Sequence, residues 1–307
     1  MSLKSKAIIK TLKNDYQLYL IILLPVIWLI MFRYIPMYGI QIAFKKFMWS
    51  EGIWGSPWVG FANFERFFDS YLFWRLIWNT LGISFYELAV GFPIPILLAL
   101  ALNATLREKF KKVVQFVIYM PHFISTVVMV GIILQFLNPK TGLINAAMQP
   151  FGLEELDFIG VPEYFKSIFV WSGIWQNAGW GTIIYLATLA SVDQSLHEAA
   201  TIDGASRFQR ILHIDIPCIL PTMVILLILQ AGQIMNVGFE KVLLMQNPLN
   251  LASSEVISTY VYKIGLASSA ADFSFSTTIG LFNSLVSFIL LLTVNQAAKR
   301  MNQTSLW

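Results

Sequence analysis

The sequence predicts an all-α membrane protein with six transmembrane helices, both termini in the cytoplasm, and two short cytoplasmic helices between the fourth and fifth spans. Of the 307 residues, 57% are apolar and only 12% are charged, and the mean hydropathy is +0.65. Soluble domains are about 45–50% apolar and about 25% charged. The chain has too few polar residues to cover the surface of a soluble fold of this size. The composition therefore disfavours a soluble enzyme, a disordered chain and a nucleic-acid binder.

Six long stretches are almost free of Asp, Glu, Lys and Arg, and they come close to or exceed the roughly 20 apolar residues that a membrane helix needs. One such stretch could be a buried core helix, but six in one chain indicate membrane spans. Glu87, in the second stretch, is the one charge among them. The predicted spans are residues 16–32, 76–106, 113–139, 167–192, 216–239 and 273–298.

The positions of Lys and Arg predict the orientation. With the N-terminus inside, twelve of the 21 lie in the two tails and in the two short loops after the second and fourth spans, as the positive-inside rule requires. We expect a basic cytoplasmic tail over 1–15, a first span with an outer loop over 16–71, a transmembrane domain over 72–298 and a cytoplasmic tail over 299–307. The first span is expected to remain as an anchor, because Arg33 and Pro36 follow it in place of a small-residue cleavage site.

The loop over residues 191–217 contains sequence signals for helix starts and ends. A plain connector would not need such signals. Ser195 with Glu198, and Ser206 with Gln209, have the spacing of capping boxes. Gly204 between them can adopt the left-handed conformation that ends a helix. Pro217 is expected to end the second helix. The pattern predicts two short helices joined by a hinge.

Three interpretations of this loop compete. A helix-turn-helix for DNA is disfavoured, because the loop holds four acidic residues against two arginines and would not attract a phosphate backbone. A plain connector is the second. The third is a docking element, since the small residues Ala199, Ala200 and Gly204 would let the backbone of another protein come close.

The spacing of this loop resembles the EAA loop of ABC importer permeases. Glu198-Ala199-Ala200 is followed by Gly204 four residues later, and then by Ile214-x-Ile216-Pro217. Ile216 stands where the family pattern has Leu. A narrower resemblance, to permeases that import complex oligosaccharides, rests on residues 34–39, 58–60, 260–266 and 273–282. The resemblance covers most of residues 72–298.

The resemblance implies a transporter subunit that works in a complex. The expected partners are two cytoplasmic ATPase subunits, a second and different permease, and an extracytoplasmic solute-binding protein. ATP and Mg would bind the ATPases, and this chain, which has no Gly-Lys dipeptide and hence no P-loop, would hold no cofactor. The loop would be a coupling helix pair that docks on an ATPase. The residues carried over to that role are Glu198, Ala199, Ala200, Asp203, Gly204, Ile214 and Pro217.

Polar side chains within the spans are candidates for the substrate path, because polar groups in a bilayer usually face a cavity or another helix. Gln230, Gln233 and Asn236 recur every three residues in the fifth span and would share one helix face. Helix packing explains such polar and small-residue stripes equally well. The other candidates are Trp175, Gln176 and Asn177 in the fourth span and Asn283 in the sixth.

No catalytic constellation or metal-ligand cluster is visible, because the three histidines are far apart and Cys218 is the only cysteine. Three rival interpretations remain. An ion-driven secondary transporter would use Glu87 but would leave the EAA loop unexplained. A membrane-embedded enzyme would need catalytic groups that the spans lack. An ABC permease for a solute other than a sugar fits every residue except those of the narrower resemblance.

Overall fold

The computed structural model describes residues 14–300, and within this range the chain is helical, with no β-strand. The predicted tails therefore lie almost wholly outside the described residues. The principal helices are α1 Tyr16–Phe44, α2 Phe73–Asn103, α3 Glu108–Phe123, α4 Thr126–Phe136, α5 Pro162–Ala190, α6 Gln194–Ile202, α7 Arg207–Ala231 and α8 Phe273–Arg300. The shorter helices are Gly52–Gly55, Ala62–Phe68, Leu143–Met148, Gln149–Phe151, Phe239–Met245, Leu251–Ser254 and Ile257–Tyr262.

Four of the described helices, α1, α2, α7 and α8, are long and apolar enough to cross a membrane. A fifth span results if α3 and α4 are counted together. Helix α5, which corresponds to the predicted fourth span, has 29 residues but does not reach the same hydropathy. Its amides, glycines and charged first turns lower the mean, so composition supports four or five spans where the sequence predicted six.

The predicted third span is broken, which corrects the expectation of one helix over 113–139. Helices α3 and α4 meet at an angle of 98°. The break follows Pro121, which has no N–H to donate, and Ile124 is extended. Ser125 then caps α4 by accepting a hydrogen bond from the Val128 N–H. The Gln176 side chain of α5 donates to the Ile124 carbonyl at 2.8 Å and so holds the break in place.

Prolines inside three long helices are accommodated by wider π-turns. Such a turn lets an N–H bond the carbonyl five residues back, as Ile216 does to Ile211. The first helix therefore continues through Arg33 to Phe44, and the expectation that Pro217 ends a helix is wrong. The π-turns are Ile30–Tyr34 before Pro36, Glu87–Gly91 before Pro93, and Ile211–Asp215 before Pro217.

Helix α5 lies at the centre of the fold. Its buried Phe165, Phe169 and Val170 pack in one core cluster with Ile83 of α2. At Gly179 the helix approaches α3 so closely that a Cβ would lie 1.9 Å from the Ile118 carbonyl oxygen. Only glycine fits such a contact between backbones, so the position of α5 against α3 depends on Gly179.

The loop before α8 is held by two polar residues of α2. The Asn79 side chain donates to the carbonyls of Ala252 and Glu255, at 2.9 and 3.2 Å. The Thr80 hydroxyl accepts from the Ile257 N–H at 3.1 Å. Both side chains are buried, so this pair satisfies backbone groups that would otherwise be unpaired inside the protein.

Candidate functional site

The loop between α5 and α7 begins with a capped helix. Asp193, not Ser195, is the N-cap of α6, and its carboxylate accepts a hydrogen bond from the Ser195 N–H at 2.9 Å. This bond favours the ionised carboxylate and holds the pKa of Asp193 below its usual value. The capping box expected from Ser195 and Glu198 is therefore wrong, which leaves the Glu198 side chain free of any capping role.

Gly204 ends α6 in the left-handed conformation, with φ of +78°. The Gly204 N–H bonds the Thr201 carbonyl at 3.1 Å, and the Ala205 N–H bonds the Ala200 carbonyl at 2.9 Å. This pair of bonds is the Schellman motif. The predicted turn at Gly204 is therefore present between α6 and α7, and its role as a hinge stays a prediction.

The second helix of the loop is the first part of α7 and not a separate element. Ser206 and Gln209 form the predicted capping box, with bonds of 3.3 and 2.7 Å. The helix then continues into the apolar part of α7, because the π-turn absorbs Pro217. Movement of the loop would therefore be transmitted directly to a predicted span.

Two contacts that sequence reasoning missed tie α6 to α7. His197 Nε2 lies 3.3 Å from Oδ1 of the buried Asp215. Arg210 Nη1 donates to the Thr201 hydroxyl at 3.0 Å. The partners are nine or more residues apart and follow no helical spacing across the Gly204 turn, so no local pattern could have revealed them.

The motif residues differ in exposure. Glu198, Ala199, Asp203, Gly204 and Pro217 are exposed, whereas Ala200 and Ile214 are half-buried. Two apolar side chains beside them are not covered by any residue of the described range 14–300, since Ile202 is 86% exposed and Phe208 is 73% exposed. An exposed carboxylate, small residues and uncovered apolar groups are the properties of a protein-binding surface.

A cavity of about 580 Å³ lies among α2, α5, α7 and the segment after α7. Its volume is within the range typical of small-ligand sites. The part contributed by α5 includes the stripe Gly173, Asn177 and Trp180. These positions are four and three residues apart, the spacing of one helix face.

The predicted path residues are divided between the cavity and the packing. Asn177, Gln230, Gln233 and Asn236 line the cavity. Helix α7 ends at Ala231, so Gln233 and Asn236 lie in turns and extended chain, and the expectation that all three share one face of a helix ending near residue 239 is wrong. They converge because successive turns follow the helix, with the Gln233 N–H bonded to the Gln230 carbonyl and the Asn236 N–H to that of Gln233.

The remaining candidates lie elsewhere. Gln176 is buried and bonds the break between α3 and α4. Trp175 is 54% exposed on another face of α5. The Asn283 side chain of α8 donates to Asn236 Oδ1 at 3.1 Å, and Asn236 Nδ2 donates to Gln233 Oε1 at the same distance. Asn283 therefore holds Asn236 of the cavity lining in place without lining the cavity itself.

A carboxylate of the cavity wall faces a buried cation that the sequence did not connect to it. Glu87 lines the cavity and faces Lys241 across Gly173, where an added Cβ would lie 3.9 Å from Glu87 Oε1 and 3.2 Å from Lys241 Nζ. Lys241 is buried and donates to the Phe169 carbonyl at 2.7 Å. The two opposite charges thus lie on either side of Gly173.

The edge of the cavity carries a stacked aromatic pair. The His122 and Trp180 rings are 4.4 Å apart and nearly parallel, and His122 Nδ1 lies 3.0 Å from Asn177 Oδ1. Among residues 14–300 no group of three or more His, Cys, Asp or Glu side chains could hold a metal ion. The cavity therefore offers amides, one carboxylate and an aromatic face, which suit hydrogen-bonding solutes.

Similarity to known proteins agrees with this geometry. The family described as binding-protein-dependent transport system inner membrane component matches residues 91–303. Protein LplB of Bacillus subtilis is 42% identical over 96% of this chain and 92% of its own length. The polygalacturonan/rhamnogalacturonan transport system permease protein YteP, from the same organism, is 41% identical over 99% and 94%.

Solved structures show the same fold. A chain of a bacterial alginate ABC transporter, in complex with an alginate pentasaccharide-bound periplasmic protein, has a TM-score of 0.89 and 39% identity, covering 97% of this chain and 99% of that one. The family match spans more than half of the chain and includes the α5–α7 loop and most of the cavity lining, although Ser84, Glu87 and Leu88 precede it. The chain therefore belongs to the family of inner membrane components of binding-protein-dependent transport systems, and it is a permease of an ABC importer.

Proposed function

We propose that this permease forms half of the translocation path for a sugar, specifically an oligosaccharide, and that ATPase closure drives it through the α5–α7 loop. The observation that carries the proposal is that one helix, α7, joins the exposed EAA loop at one end to the polar cavity at the other. Displacement of the loop would then change the shape of the cavity, which is what coupling requires.

The lining of the cavity supports a sugar as cargo. The amides of Asn177, Gln230 and Gln233 can donate to and accept from hydroxyl groups, and the Glu87 carboxylate can accept from them. Trp180 stacks on His122 with one face but is still 46% exposed, and a flat aromatic ring of this kind can stack on a sugar ring. The relative YteP is named for polygalacturonan and rhamnogalacturonan transport, and a solved neighbour is an alginate transporter. The alternative is a solute other than a sugar, and uptake measurements with labelled solutes would distinguish the two.

The proposed topology has six spans with both termini in the cytoplasm, in the cell membrane. Helix α5 is the fourth span, shielded within the fold, and the bent pair α3 and α4 is the third. The transport domain would cover 72–298, with the EAA loop over 191–217. The predominance of Lys and Arg in the short loops on one side supports this orientation.

We assign the motif residues as follows. Glu198 offers its exposed carboxylate to a basic group of the ATPase, Ala199 and Ala200 permit close contact, and Gly204 sets the angle between α6 and α7. Asp203, Ile214 and Pro217 complete the motif at the turn and at the entry to the span. Two ATPase subunits would bind ATP and Mg, and a second, different permease and an extracytoplasmic solute-binding protein would complete the importer.

The test is charge reversal of Glu198. The tagged full chain would be purified in mild detergent from its host, and co-purifying ATPase would be quantified. We expect Glu198→Lys to lower the ATPase yield about tenfold, because a paired charge becomes a repelling one. Glu154→Lys is the matched control, since this exposed glutamate lies in the loop between α4 and α5. Equal ATPase recovery from both variants would refute the docking role.

A further inference from the structure

Two adjoining depressions lie beside the α5–α7 loop. One is a polar pocket of about 480 Å³ between the chain after α2 and the start of α7. The other is a groove of about 410 Å³ between α3 and α5. Both are lined by Asn103, Lys111 and Ala190. The two spaces therefore adjoin, so that a single elongated ligand could extend from one into the other.

The polar pocket is positively charged. Lys111, Arg207 and Arg210 line it, together with Asp215 and His197. Asp215 already faces His197 at 3.3 Å, and Arg210 is held by Thr201. Lys111 and Arg207 have no acidic partner within 4.0 Å among the described residues. An anionic group would therefore be attracted to this pocket.

The groove has the opposite character. Its α3 wall is formed by Lys111, Gln115 and Tyr119, which are spaced by four residues and so share one helix face. Its α5 wall is formed by Ile183, Leu186 and Ala187. Apart from Lys111 and two amides, the lining is apolar or aromatic, and the groove extends from the charged pocket toward the part of α5 that lies in the bilayer.

We propose that these depressions together bind an anionic phospholipid of the cytoplasmic leaflet. Its phosphate would lie between Lys111 and Arg207, and one acyl chain would follow the groove between α3 and α5. A soluble anion would use only the pocket, and an acidic side chain of an ATPase would have no use for the groove. A cationic pocket beside membrane helices is a recurrent form of lipid-headgroup site.

This proposal rests on the orientation given under Proposed function, which places the pocket at the cytoplasmic surface. Its consequence is regulatory. A phosphate held by Lys111 and Arg207 would bridge the loop before α3 to the start of α7. The bound lipid would thereby stiffen the base of the EAA loop, and coupling would depend on the anionic lipid content of the membrane.

The experiment measures lipid retention by the purified importer. The complex would be reconstituted in nanodiscs of phosphatidylcholine containing phosphatidylglycerol, re-extracted, and analysed for retained lipid by native mass spectrometry. We expect Lys111→Gln combined with Arg207→Gln to lower phosphatidylglycerol retention by at least about tenfold, because each cation near an anionic lipid contributes about fivefold. Phosphatidylcholine retention should not change.

The matched control is Arg107→Gln combined with Lys112→Gln. These cations are exposed neighbours that line neither depression, so we expect wild-type retention. A second variant, Ala187→Trp, fills the groove from an exposed position and should reduce retention without altering any charge. Equal losses in the pocket and control double variants would overturn the proposal, because general surface charge would then suffice.

Two further outcomes also decide against it. If inorganic phosphate displaced the lipid at millimolar concentration and Ala187→Trp had no effect, the pocket would be a soluble-anion site. If the pocket variants lost ATPase subunits and kept the lipid, the cations would belong to the protein interface. ATPase recovery is measured in the same sample, so a failure of the lipid site and a failure of the docking loop give different results.

Discussion

The two functional regions of this permease differ in how they are built. The α5–α7 loop is assembled from local signals, including an N-cap at Asp193, a left-handed Gly204 and a capping box at Ser206. The cavity is assembled from three helices and a turn segment, none of which forms a site alone. The comparison teaches that a docking surface can be encoded in one continuous stretch, whereas a translocation path requires breaks and close approaches between distant parts of the chain.

The largest expected effect tests the non-local side of this comparison. Gly179→Ala would place a methyl group against the Ile118 carbonyl oxygen, where no flexible side chain can yield. We expect a destabilisation of about 1–3 kcal/mol or more, visible as a lower thermal midpoint in detergent and a smaller monodisperse peak. Gly131→Ala is the control, since nothing lies within 4 Å of an added Cβ there. Similar stability of the two variants would show that α3 and α5 can separate freely.

The next prediction compares the same Gln→Leu change at a glutamine with a packing role and at one with a transport role. Gln176→Leu would leave the Ile124 carbonyl without its donor, at a cost of about 1–3 kcal/mol. Gln230→Leu removes an exposed amide from the cavity wall, so stability should hold while oligosaccharide uptake falls several-fold. Thermal melting and uptake would be measured on both variants. A stable Gln176→Leu, or full uptake by Gln230→Leu, would contradict the division of roles.

The smallest effect concerns the local side. Gly204→Ala forces a side chain into the left-handed region at a cost of about 1–2 kcal/mol, although no neighbour obstructs it. We expect normal insertion and weaker transport-coupled ATP hydrolysis. Gly204→Asn should lose less, because asparagine tolerates this conformation better. The ratio of transport to ATPase rate would be measured for both, and an equal ratio in all three proteins would argue against a hinge.

Sequence reasoning performed best where the physical cause was local. Gly204 and the Ser206–Gln209 pair could be interpreted because caps and left-handed turns depend on a few neighbouring residues. The prediction at Pro217 was wrong because a helix can either end at a proline or continue past it through a π-turn. Only the surrounding packing selects between these two outcomes. Sequence reasoning failed again after Ala231, where an apolar composition continues although the helix ends.

The cavity shows the same limit more strongly. Trp175, Gln176 and Asn177 are adjacent in sequence, yet on α5 they point in three directions, and only Asn177 lines the cavity. Glu87 and Lys241, which face each other across Gly173, are 154 positions apart in the sequence. No periodicity in either segment indicates that Gly173 leaves the space between them.

The sequence by itself determined the membrane character, the helical class, and the EAA-like loop with its left-handed turn at Gly204. Each of these follows from composition or from interactions over a few residues. Only the tertiary structure decided which polar side chains face the cavity, where α3 and α4 break, and how His197 and Arg210 join α6 to α7. The physical reason is that these features arise from contacts between helices, and such contacts depend on how whole faces pack together.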